Sequence, residues 1–133
     1  MRTPHQSVRA LLILGFALLG AGCNDENLST IVFIDGGASS DRGDVTVMNW
    51  TGGERIALTT TGRDVQPKWS PDKDRIAFSR WTVSAGGHYD IFAIDPDGAA
   101  EEVLVDDRGN DWAPSWSPDG TKLAFLSDRE GQA

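Results

Sequence analysis

Two stretches of this chain say nearly the same thing 47 residues apart. Pro67-Lys68-Trp69-Ser70-Pro71-Asp72-Lys73-Asp74-Arg75-Ile76-Ala77-Phe78 returns as Pro114-Ser115-Trp116-Ser117-Pro118-Asp119-Gly120-Thr121-Lys122-Leu123-Ala124-Phe125. Each copy reads as strand, tight turn, strand. In Ser117-Pro118-Asp119-Gly120, Ser stands at i, Pro at i+1 with φ already near the turn value, and Gly at i+3, the type I preference. Lys122 to Leu126 is apolar around a small Ala, which suits a central strand packed on both faces. A fixed period of this size marks a repeat array and outranks any single-residue signal.

The remaining segments fall into the same frame. Ile31-Val32-Phe33-Ile34 aligns with Ile76-Ala77-Phe78-Ser79 and with Leu123-Ala124-Phe125-Leu126. Asp44 to Asn49 matches Asp90 to Asp95 at an offset of 46, and the turns Thr51-Gly52-Gly53 and Asp97-Gly98-Ala99 follow. Arg55 to Thr59 is set against Glu102 to Asp106, and Gly62-Arg63-Asp64 against Gly109-Asn110-Asp111. Four strand-like runs per unit with short turns predict a four-stranded antiparallel sheet, and sheets stacked in series predict a β-propeller. Fifteen Gly and six Pro, clustered between short apolar runs, agree with an all-β chain. Residues 23–133 hold about two and a half periods, whereas propellers use four to eight blades. The expectation is an incomplete propeller of two to three blades, a fragment of a longer array or a chain that self-associates to close the ring.

The Trp-Ser-Pro-Asp-Gly-x-Lys-Leu-Ala-Phe pattern resembles the repeat of TolB-like (WD-like) β-propellers, over residues 30–133. That resemblance implies a non-catalytic interaction scaffold with protein partners in the bacterial cell envelope. It also makes Trp69, Pro71, Asp72, Trp116, Pro118, Asp119 and Gly120 residues of the repeat structure, with the two Trp packed between blades. TolB-like blades also form the propeller of prolyl-oligopeptidase-type peptidases and resemble those of some sugar lyases, so a portion of an exported enzyme is one alternative. A carbohydrate- or ligand-binding surface protein is another, with Trp81 and Trp112 as its first residues.

Residues 1–22 read as an export leader: Arg2 and Arg9 precede a run apolar from Ala10 to Ala21, closed by the small pair Ala21-Gly22. As a helix the run spans about 18 Å, short of the roughly 30 Å hydrocarbon core. Cys23 is the single cysteine, so no intrachain disulfide can form. Leu19-Gly20-Ala21-Gly22-Cys23 resembles a lipobox, which implies lipidation at Cys23 and an exported lipoprotein facing the periplasm or cell surface. Acyl chains contribute about 0.8 kcal/mol per buried CH₂, enough for several chains to hold a domain at a membrane. Residues 23–29 form a polar tether, and 30–133 the partial propeller.

Twenty Asp+Glu against 12 Lys+Arg give a net charge of −8; without Arg2 and Arg9 the count is 20 against 10, or −10. An acidic surface repels phosphate backbones, which excludes nucleic acid as partner. After the leader only His88 is left among histidines and no Gly-x-Ser-x-Gly elbow occurs, so no catalytic residue and no metal site is expected. His88 reads as a solvated loop residue. Asp95-Pro96-Asp97-Gly98 and Asp106-Asp107 offer oxygens to Ca²⁺, but their spacing is that of turns, and no cofactor is expected beyond that weak Ca²⁺ signal. Ser40-Asp41-Arg42-Gly43 resembles Ser127-Asp128-Arg129-Glu130-Gly131, and Ser79-Arg80-Trp81 opens the equivalent loop of the middle unit. Equivalent propeller loops share a face, so Arg42, Arg80, Trp81 and Arg129 are the candidate interaction rim. The competing expectation is that each Asp–Arg pair braces its own turn.

Overall fold

The computed structural model describes residues 30–37, 41–83 and 86–129, so the leader, Cys23 and the tether lie outside the described residues. The two Ser-Pro-Asp segments close with the same hydrogen bonds. Lys73 N donates to Ser70 O at 3.1 Å and Gly120 N to Ser117 O at 2.9 Å, the bond from i+3 back to i of a β-turn. Ser70 Oγ donates to Asp72 Oδ1 at 2.5 Å and accepts from Arg75 N at 3.0 Å. Ser117 Oγ does the same with Asp119 at 2.6 Å and Lys122 N at 2.9 Å. The two serine hydroxyls stabilise the ionised carboxylates. The Ser117 hydroxyl first, then the Thr121 donors, lower the Asp119 carboxyl to about 2, and Ser70 acts on Asp72 in the same direction.

Each turn joins two strands of an antiparallel sheet. The first sheet orders β1 (Thr30–Asp35), β2 (Asp44–Asn49) and β3 (Ile56–Ala57). The second orders β4 (Asp64–Trp69), β5 (Ile76–Thr82), β6 (His88–Ile94) and β7 (Glu102–Val105). The third pairs β8 (Asp111–Trp116) with β9 (Leu123–Ser127). The second sheet is the complete four-stranded unit, and the three together form an open, incomplete propeller. Pairing corrects one sequence alignment: Val47 faces Ile56 and Ala93 faces Glu102, so Glu102 is the counterpart of Ile56, not of Arg55. Strand side chains alternate faces, so a one-residue slip would exchange inside for outside. The extra residue of the second unit lies in the loop after β7, between Val105 and Gly109.

β4 and β8 share a second device. Their pairing skips between Val65 and Lys68 and between Trp112 and Ser115, and both bulges hold a non-glycine residue at φ 55, Gln66 and Ala113. The two bulges meet: Ala113 N donates to Gln66 Oε1 at 2.9 Å, and Trp116 Nε1 to Lys68 O at 3.2 Å. The third sheet is thereby registered on the second.

The core forms between the first two sheets. Val45 and Val47 of β2 meet Ile76 and Phe78 of β5 and Ile94 of β6, with Val32, Ile34, Leu58, Trp69 and Phe92 packed around them. Phe78 lies nearly parallel to Phe92 at 5.9 Å between ring centres. β5 is buried from Ile76 to Arg80, Ser79 and Arg80 included, whereas the sequence expectation of a central strand falls on the stretch that forms β9. β9, its repeat counterpart, is half-buried at Leu123 and Phe125 and exposed at Ala124 and Leu126, because it has only β8 beside it.

Candidate functional site

The loop end of the sheets is organised by two buried aspartates at equivalent places, Asp64 opening β4 and Asp111 opening β8, each 0% exposed. Asp64 ties the first sheet to the second. Its backbone exchanges two hydrogen bonds with Gly43. Its carboxylate accepts from Thr59 Oγ1 at 2.5 Å and from Arg80 Nε at 2.6 Å. Gly43 fits only without a side chain, since a Cβ there would collide with the Asp35 carbonyl and the Gly36 Cα. Arg80 also makes a two-pronged contact with Glu101, at 2.6 and 2.9 Å, and its guanidinium lies 4.7 Å from the centre of the Phe92 ring. Desolvation opposes its charge, but the bonds to Asp64 and Glu101 outweigh it and raise its pKa above the ordinary arginine value. In the next unit Arg129 Nη2 donates to Asp111 at 2.8 Å, and Nη1 to Asp107. Arg80 and Arg129 do the same work from positions two residues apart in register, which a strand permits because i and i+2 share a face.

A second arrangement lies beside these braces. Arg42 Cζ sits 5.1 Å from the Trp81 ring centre and 6.0 Å from that of Tyr89, and the two rings meet edge-on at 5.2 Å. Tyr89 borders a cleft of about 500 Å³ lined also by Asp41, Val65, Gln66, Asn110, Trp112 and Asp128. Strands of the second and third sheets contribute to it, and the loop before β2 adds Asp41. Asn110 is fixed there by Asp128, which accepts from its N at 2.6 Å and its Nδ2 at 2.7 Å, and these bonds lower the Asp128 pKa.

The amino-acid pattern of residues 28–133 matches the family described as TolB beta propeller domain. The chain belongs to the TolB β-propeller domain family. No curated protein sequence matches it. Among solved structures it is similar to a TolB from Agrobacterium tumefaciens, with 29% identity, a TM-score of 0.64, and 77% of this chain aligned to 35% of that one. TolB from Acinetobacter baumannii aligns at 22% identity and TM-score 0.60, over 80% of this chain and 27% of the other. The tricorn protease aligns at 18% identity and TM-score 0.55, over 72% of this chain and 11% of its own length. The last two likenesses show the fold alone, and the chain spans about a third or less of each of these proteins.

Within this TolB-family unit the rim residues read from the sequence separate into two groups. Arg42 and Trp81 come together with Tyr89, and of the three it is Tyr89 that lines the cleft. Arg80 does not join them: it is 8% exposed, turned under the rim and held by Asp64 and Glu101, so it is a brace rather than a contact residue. Arg129 remains partly exposed but its guanidinium is directed to Asp107 and Asp111. Trp69 packs against the core between the first two sheets, and Trp116 bridges the second and third. Pro71, Pro118 and Gly120 occupy the turns. His88 also departs from expectation: it opens β6, and its side chain is 12% exposed rather than solvated in a loop. The Asp95-Pro96-Asp97-Gly98 segment is a turn, with Gly98 N donating to Asp95 O at 2.9 Å and Asp97 Oδ1 accepting from Ala99 N. Asp95 faces Arg75 at 3.9 Å, and Asp107 belongs to Arg129, so these oxygens do not converge. Asp64 and Asp111 were missed as functional partners of the arginines, although Gly-x-Asp recurring at the repeat period was their signal.

Proposed function

We propose that this chain is a non-catalytic interaction scaffold of the bacterial cell envelope, exported and held to a membrane through lipidated Cys23, and that it engages protein partners at the cleft rim. The observation that carries the reading is the Arg42–Trp81–Tyr89 cluster, whose Tyr89 also lines the neighbouring cleft. Arg and Trp dominate binding energy at protein interfaces because they offer large apolar area with a directed polar end. The acidic residues Asp41 and Asp128 at the same cleft suit a partner segment carrying Lys or Arg. TolB-family membership supports a protein-binding role, and the leader followed at once by a single cysteine supports the tether. A second reading, a glycan-binding surface, is favoured by Tyr89 and Trp112 lining that cleft with Asn110 and Asp128.

The test has two arms. Site-specific photocrosslinking from the rim in intact cells should yield an envelope protein whose recovery falls at least tenfold in Arg42→Ala/Trp81→Ala, with the unfolding temperature kept. Equal recovery from the variant sinks the rim. Cys23→Ser should move the protein from the membrane fraction to the soluble one, and unchanged partition sinks the tether.

A further inference from the structure

His88 and Asp90 alternate along β6, so their side chains fall on one face of the second sheet. Asp106 follows β7, whose Val105 pairs with Ile91. One donor atom from each of the three lies within 4.8 Å of the other two. His88 Nε2 and Asp90 Oδ1 stand 3.0 Å apart. Yet both atoms are buried and neither makes a hydrogen bond among the described residues. The separation is within ion-pair range, but the two atoms do not have hydrogen-bond geometry. Asp90 is 3% exposed, so an oxygen left without a donor there is costly.

Two donors that share a tetrahedral ion, each about 2.05 Å from it, stand about 3.3 Å apart, so the 3.0 Å separation needs only a small adjustment to admit one. The other oxygen of Asp90 accepts from Thr82 Oγ1 at 2.7 Å, which orients the carboxylate as an outer-shell partner does at a metal site. Arg80, across the strand pair from Asp90, directs its guanidinium to Asp64 and Glu101 instead.

We propose that His88, Asp90 and Asp106 bind one divalent first-row transition cation of the Zn²⁺ class, with Thr82 positioning Asp90. An imidazole beside two carboxylates suits such ions better than Ca²⁺ or Mg²⁺, which prefer oxygen alone. Three protein ligands leave a position for water. The bound ion fastens the loop after β7 to β6. Through Asp107, which pairs with Arg129, that loop also reaches the third sheet. The site is therefore a clamp within the second sheet, next to the Asp107–Arg129 pair that reaches the third.

The full chain, stripped with a chelator, is titrated with Zn²⁺ alone by calorimetry, and its unfolding temperature is followed with and without the ion. One equivalent should bind at micromolar concentration and raise the unfolding temperature. Asp106→Asn and His88→Gln should each weaken binding at least tenfold; Asp106 is exposed, and its variant should keep the metal-free unfolding temperature. Thr82→Val should weaken binding by a smaller factor. Absence of saturable binding overturns the proposal, as does an affinity unchanged in both ligand variants, which would place the ion at Cys23 or elsewhere. Ca²⁺ bound as tightly as Zn²⁺ overturns the choice of cation.

Discussion

At Lys73 and Gly120 the same turn position is met by different residues, at φ 66 and φ 71. A side chain in the left-handed region costs roughly 1–2 kcal/mol. Lys73 offsets part of this through its ammonium, 5.4 Å from the Trp69 ring centre, a contact of about 0.5–1 kcal/mol. Gly120 carries no such compensation. A Cβ there would meet only Asp72 Oδ2 and Pro71 Cδ, both at 3.8 Å, so nothing clashes and the cost is conformational alone. Gly120→Ala should lower stability by about 1 kcal/mol in urea unfolding. A variant as stable as the parent would mean that the turn geometry is not held in solution.

The element that depends most on a single pair is β5, whose end is anchored by Arg80 on Asp64. Removing one partner of a buried, hydrogen-bonded ion pair leaves the other charge uncompensated, at about 3–5 kcal/mol. Arg80→Ala should therefore destabilise by that order, while Arg80→Met with Asp64→Asn should recover much of the loss. Arg129→Ala should cost less, because its guanidinium is partly exposed and Asp107 is at the surface, although the variant leaves the buried Asp111 without its cation. Equilibrium denaturation of the variants checks the order, and a loss under 1 kcal/mol for Arg80→Ala would remove the brace from the account. The arginines themselves were legible in the sequence as repeat-related residues. Their direction was not, since it depends on which strand face each occupies and on the aspartate 16 or 18 residues earlier.

Across the whole molecule, cohesion falls from the second sheet outward. The core joins the first and second sheets, while the third is registered on the second through Gln66 and Trp116. A single hydrogen bond contributes about 0.5–1.5 kcal/mol. Trp116→Phe should thus speed amide exchange in β8 and β9 about threefold to tenfold and leave β4 to β7 unchanged. Uniform acceleration through both sheets would show that they open as one unit.

The repeat period, the two Ser-Pro-Asp turns and the all-β architecture were determined by sequence alone. Turn chemistry is local: Ser, Pro, Asp and Gly each act within four residues, and the period multiplies the signal. Tertiary structure decided everything that requires knowing which face meets which neighbour. It turned Arg80 inward, brought Arg42 from the loop before β2 onto Trp81 and Tyr89 of the second sheet, and drew His88 out of an expected loop into a strand beside Asp90. Those outcomes rest on strand register and on contacts between sheets, and a pattern of residue types along one chain carries neither.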